Sequence, residues 1–115
     1  MATRTLDLLQ GTVDVLILKT LSWEPMHGYS IAKFIEQRSD GVLGVADAAL
    51  YQALHRLERR GWIASEWGLS ENNRKAKFYR LTSVGRQQLR SDVTEMRRYV
   101  SALFKVLETR FEVRG

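Results

Sequence analysis

The 115-residue sequence predicts an α+β fold, mainly α, of three short helices, a two-stranded hairpin and one long closing helix. Three observations predict it. Apolar residues recur at helical spacing in four separate stretches, the mark of helices that each bury one face. Between the third and fourth stretches, two alternating, strand-like segments flank a polar turn. The fourth stretch repeats its apolar residues every seven positions, a pattern that asks for another helix beside it.

The elements follow in chain order. Leu9, Val13, Leu16, Ile17, Thr20 and Leu21 trace one face of a first helix over about 8–22. Trp23-Glu24-Pro25-Met26-His27-Gly28 ends it, because a proline disfavours helical backbone at the residue before it. A second helix is expected over 29–38, with Ile31, Phe34 and Ile35 inward and Ser39-Asp40-Gly41 as its stop. The short apolar run 42–45 has the character of a small strand. Asp47 is the expected N-cap of a third helix over about 48–60. Its buried stripe is Leu50, Ala53, Leu54 and Leu57, and Gly61 stands where a left-handed C-cap belongs. Segments 62–67 and 77–81 alternate as strands around the polar tip 68–76. Thr82 then caps a fourth helix running to about Phe111. Trp23, Trp62 and Trp67 are expected to be structural, Trp62 folding back on the core and Trp67 at the base of the hairpin.

Helix, helix, helix, hairpin, helix is the order of a winged helix-turn-helix. Residues 1–82 would form that winged, DNA-binding unit and 83–115 a long C-terminal dimerisation helix, the whole being one compact unit. A chain of this length holds one domain with a modest core, which dimerisation would supplement.

Composition narrows the function. Eighteen Lys and Arg against 13 Asp and Glu give a net charge of +5, which favours a polyanionic partner. The absence of cysteine excludes disulfide scaffolds, zinc ribbons and thiol nucleophiles. Asp7 and Asp14 interrupt the first apolar run, so neither a signal peptide nor a membrane span is expected, and the cytoplasm is the expected location. His27 and His55 lie on different elements without other ligands nearby, so no metal is expected. His27 fits a loop or capping role and His55 a surface or DNA-facing one. No Ser-His-Asp arrangement can be argued, and Gly41 and Gly44 match neither nucleotide-binding fingerprint. The expectation is therefore a chain that is not an enzyme and takes no cofactor.

Three surfaces carry the functional reading. On the third helix, the face opposite the apolar stripe holds Ala48, Gln52, His55 and Arg59, flanked by Tyr51 and Arg56, and Ala49 is a second small residue beside Gln52. Small residues at its start let a helix enter a major groove closely, and Gln can pair with adenine and Arg with guanine. Between positions 70 and 90 lie Arg74, Lys75, Lys77, Arg80, Arg86 and Arg90 against a single acid, Glu71. That segment alone carries +5, as much as the whole chain, which suits contacts to phosphate. On the fourth helix, Leu89, Val93, Met96, Val100, Leu103 and Leu107 form an a/d seam, part of which could pack on the protein's own first helix.

The leading expectation is a homodimer that binds double-stranded DNA. A winged helix that docks protein through a degenerate DNA face is the alternative, and the concentrated charge at Arg74, Lys75 and Lys77 speaks against it. A small aromatic ligand that releases the DNA is compatible with the first reading, with Met96, Tyr99 and Phe104 as its lining.

These residues resemble the PadR family of bacterial regulators. The matching segments are His27-Gly28-Tyr29, Leu50-Tyr51-Gln52-Ala53-Leu54-His55-Arg56-Leu57-Glu58, Gly61-Trp62-Ile63, Glu71 to Thr82 with its Phe78-Tyr79-Arg80-Leu81-Thr82 ending, and Gly85-Arg86. They span nearly the whole chain in the family's order, and the single C-terminal helix is similar to that of the smaller subfamily. The resemblance implies a homodimeric winged helix, a palindromic operator and usually repression. It implies that Tyr29 and Tyr51 contact the DNA backbone, that the first turn of the third helix meets base edges, and that Arg74, Lys75 and Lys77 form the wing. Where the family commonly has Gly-Ser-Leu-Tyr-Pro, this chain has Ala48-Ala49-Leu50-Tyr51-Gln52, so a hydroxyl and a proline are lost at the DNA-facing turn. Some relatives bind flat aromatic drugs between tryptophans of the C-terminal helix; this helix has none.

Overall fold

The computed structural model describes residues 10–111. Along them run α1 (Gln10–Leu21), β1 (Met26–His27), α2 (Gly28–Arg38), α3 (Asp47–Arg59), β2 (Ile63–Leu69), β3 (Lys75–Leu81) and α4 (Ser83–Leu107). The arrangement is a winged helix-turn-helix, mainly helical, with a long C-terminal helix. The expected start of the first helix near position 8, and its Leu9, lie outside the described residues.

Helix α1 is the centre of the core. Val13, Ile17, Leu18 and Leu21 are buried, because α2, α3, β3 and α4 all pack around it. A helix enclosed on several sides buries more than one stripe, which is why Leu18 is inside although the one-sided pattern did not include it. Thr20 is buried too, its hydroxyl satisfied by donating to the Leu16 carbonyl at 2.8 Å.

The turn after α1 contains an element the periodicity did not reveal. Met26 and His27 form β1 and pair antiparallel with Tyr79 and Phe78 of β3. The sheet order is β1-β3-β2, so the hairpin is anchored to the body through its second strand. The strand expected at 42–45 is absent; those residues form an irregular link in which Leu43 and Val45 pack on the core. Two residues carry no alternation to read, and a four-residue apolar run is as consistent with a buried loop as with a strand.

The helix ends follow local chemistry, with one correction. His27 caps α2, its Nδ1 accepting from the Ser30 N–H at 3.4 Å, and Asp40 and Gly41 close α2 in the left-handed region. The N-cap of α3 is Ala46, without a side-chain cap, and Asp47 is the first helical residue. An acid there still favours the positive end of the helix, so the residue type was informative and its position was off by one. Gly61, at φ +78, follows α3 as expected.

Thr82 joins wing to helix. Its Oγ1 accepts from the Gly85 N–H at 3.0 Å, and the same hydroxyl lies 2.7 Å from the Gly61 carbonyl. Gly85 sits directly against the Trp62 carbonyl, where no side chain fits. Trp62 is half-buried against the core, as expected. Trp23 and Trp67, expected as structural, are both exposed.

Along α4 the seam splits. Leu89 is 7% exposed and Val93 packs on the core, whereas Val100, Leu103 and Leu107 are 39%, 43% and 67% exposed. The first part lies against α1 and the remainder has no cover among the described residues. The helix ends at Leu107 rather than near Phe111.

Candidate nucleic-acid interface

Helix α3 is amphipathic in the sense the interface requires. Leu50, Ala53, Leu54 and Leu57 are fully buried, which leaves Ala48, Tyr51, Gln52, His55 and Arg59 exposed and Ala49 half-buried at the edge. Gln52 has no side-chain hydrogen-bond partner among the described residues, and its amide is open to solvent. The position of α3 is fixed by its buried leucines against α1, not by its outward residues.

Tyr29 and Tyr51 come together at the start of α2 and the first turns of α3. Both rings are exposed, and they line one shallow recess with Lys33, Val45 and Asp47. The absent side chain of Gly28 makes room for Tyr51: a Cβ there would lie 2.7 Å from the Tyr51 hydroxyl. Lys33, one helical turn after Tyr29, holds its ammonium 5.8 Å from the Tyr29 ring centre. Lys33 was not among the expected contacts, although its i+4 spacing from Tyr29 was a signal that the two share a face.

Arg56 departs from the set. Its guanidinium turns to α1, with Nη2 donating to Asp14 Oδ1 at 2.6 Å and Nε to Oδ2 at 3.4 Å. The fork-to-carboxylate geometry is the strong form of this pair, and both side chains are largely screened from water. Arg56 therefore locks α3 to α1 instead of standing on the outward face. Asp14, which read as a break in an apolar run, is its counter-charge.

The hairpin projects beside α3. Its strands pair from Ile63↔Leu81 to Leu69↔Lys75, longer than the expected 62–67 and 77–81, and the turn shrinks to 70–74. Asn73 adopts φ 60 and the Ser70 N–H donates to the Arg74 carbonyl at 2.8 Å, which closes the turn tightly. Arg74 and Lys75 are exposed at the tip. Lys77 is only half exposed and lies 3.8 Å from Glu58 of α3, whose carboxylate also accepts from the Ser65 hydroxyl at 2.6 Å. Lys77 is thus tied to α3, while Arg74 and Lys75, nearer the tip, form no ion pair among the described residues. Tyr79, buried next to these groups, has its phenol pushed above the ordinary tyrosine range by desolvation, then by the Glu58 charge and by Tyr51.

The expected ligand lining is brought together in part. Met96 and Tyr99, with Asp92 on the same helix, line a groove of about 430 Å³ between α1 and α4 together with Val15, Arg60 and Trp62; Phe104 is not part of it. No helix among the described residues is long and apolar enough to cross a membrane.

Comparison with known proteins agrees with this geometry. The model of the PadR-like family of transcriptional regulators matches residues 17–91. A transcriptional regulator from Clostridium thermocellum superposes with a TM-score of 0.78 at 30% identity, over 86% of this chain and 96% of that one. A PadR family transcriptional regulator from Eggerthella lenta superposes with a TM-score of 0.76 at 31% identity, over 95% and 93% of the two chains. A Lysinibacillus sphaericus protein named protein X is 32% identical over 89 residues, 77% of this chain and 82% of that one.

Proposed function

The chain belongs to the PadR-like family of transcriptional regulators, and from that premise we propose that it is a homodimeric repressor of a palindromic operator. The observation that carries the reading is the exposed outward face of α3 standing beside an exposed basic turn. In the proposed complex, Gln52 with Ala48 and Ala49 enters the major groove, His55 and Arg59 follow deeper along the helix, and Tyr29 and Tyr51 meet the flanking backbone. Arg74 and Lys75 supply phosphate attraction, while Lys77 contributes less because Glu58 holds it. The uncovered half of α4 meets its counterpart in a second copy, and the pair acts in the cytoplasm, where the DNA is.

The groove lined by Trp62, Met96 and Tyr99 supports a second, compatible reading, a small aromatic ligand that loosens the DNA complex. A planar aromatic dye that binds the protein and releases bound DNA is the expected result; dye binding abolished by Tyr99→Ala locates it, and dye binding unchanged by that substitution removes it from this groove.

The recognition reading is tested by two substitutions on a duplex selected by the wild-type protein and on a scrambled one. Gln52→Ala is expected to cost about 1–3 kcal/mol on the selected site and far less on the scrambled one. Lys75→Ala should weaken both by similar factors. Equal losses for Gln52→Ala on the two duplexes would show that this position does not read bases.

A further inference from the structure

The hairpin presents more than charge. In the β2–β3 register Trp67 stands opposite Lys77 and Leu69 opposite Lys75, so these four side chains share one face. Ser65, two positions nearer the body on that face, bonds to Glu58 of α3, and Lys77 lies against the same carboxylate. The face is therefore turned to the side on which α3 lies, and its outer part continues beyond α3 toward the tip. There Trp67 is 62% exposed and Leu69 67% exposed. The Lys75 ammonium rests over the Trp67 indole, 5.4 Å from the ring centre. On the opposite face the Phe78 ring lies 3.1 Å from where a Cβ on Gly68 would stand, which backs the strand directly beside Trp67.

An indole and a leucine side by side, with the exposed Arg74 and Lys75 at their outer edge, match one surface well. The minor groove of a duplex offers apolar sugar faces between two rails of phosphate, and proteins that use it set apolar side chains against those faces with Lys or Arg alongside. We propose that Trp67 is a DNA contact, its indole laid against the sugars of the minor groove next to the major groove that receives α3, with Leu69 beside it. Lys75 then shifts its ammonium from the ring to a phosphate. This rests on the reading of α3 as the recognition helix. Such a contact favours steps that widen or unstack easily, and so adds sequence preference at positions α3 does not touch. A protein partner fits the outer part of the patch less well, because its rim there is Arg74 and Lys75, with Glu71 the single acid of the turn.

Affinity for the selected duplex across a range of salt, together with tryptophan emission, decides the matter. Trp67→Ala should bind about tenfold more weakly with the salt slope unchanged, since apolar contact is lost and no phosphate contact is. Lys75→Ala should instead reduce that slope by about one ion. Trp67→Phe should keep most of the affinity and lose the blue shift in emission that DNA induces in the wild-type protein. Wild-type affinity in Trp67→Ala overturns the proposal, as does an emission shift that survives in Trp67→Phe. A loss in Trp67→Ala that comes with a reduced salt slope also overturns it, because the ring would then serve only to hold Lys75. Gln52→Ala reports on α3 independently, so failure of the wing contact leaves the recognition reading standing.

Discussion

Single residues at the interface are positioned by partners far away in sequence. Asp14 and Arg56, 42 positions apart, are the clearest pair. Asp14→Ala would leave a largely screened guanidinium without its carboxylate and should destabilise the fold by about 1–3 kcal/mol, read from urea unfolding. An unchanged midpoint would mean that water replaces the carboxylate at no cost. Gly28→Ala acts the other way, on function rather than stability. Its new methyl group meets only the end of the Tyr51 side chain, so the ring swings aside, the thermal midpoint moves little and affinity for the selected duplex falls several-fold. Retained affinity would remove Tyr51 from the DNA contacts. At this scale the sequence was legible where a residue acts on its own backbone. His27 as a cap, Thr82 as a cap and Gly61 in the left-handed region all follow from local rules. It was not legible where the partner is distant: a helical wheel places Arg56 on the flank of α3, but only packing decides whether that flank faces solvent or α1.

Elements were legible in proportion to their length and period. α3 and α4 repeat their apolar residues over several turns; α3 appears close to its expected bounds and α4 begins where expected, ending at Leu107 short of Phe111. β1, two residues long, has no period at all and exists because β3 offers it an edge. The heptad seam of α4 showed that helices pack along it without showing whose. Leu89 and Val93 answer to the protein's own α1, while Val100, Leu103 and Leu107 stay uncovered in the single chain. Substitutions in the two halves should therefore separate. Leu89→Ala should cost about 2–4 kcal/mol of folding stability, as a buried leucine does. Val100→Glu should leave the helix content and monomer fold intact, and light scattering at micromolar concentration should find this variant monomeric and the wild-type protein dimeric. A wild-type monomer at that concentration would contradict the seam as an interface. Equal unfolding in both variants would contradict the division of α4 into two halves.

At the scale of the whole molecule, the chain is a core that holds three surfaces in fixed relation: the outward face of α3, the hairpin turned to the same side, and the uncovered half of α4. The core was readable from apolar spacing, and so was the concentration of charge at the hairpin. The extension of β2 and β3 toward the tip was not, because Leu69, Lys75 and Ala76 read as turn residues until the register Trp67↔Lys77 and Leu69↔Lys75 placed them in strands. In the proposed dimer, a two-fold axis through paired α4 helices would present two copies of α3, and two such helices would read an inverted repeat with half-sites centred about one helical turn, roughly 10 bp, apart. Repeated selection of bound duplexes from a random-sequence pool measures this without any assumption about a target. The expected result is an enriched inverted repeat of that spacing bound by two chains; recovery of only unrelated sequences, bound with the same affinity as the starting pool, would contradict the account.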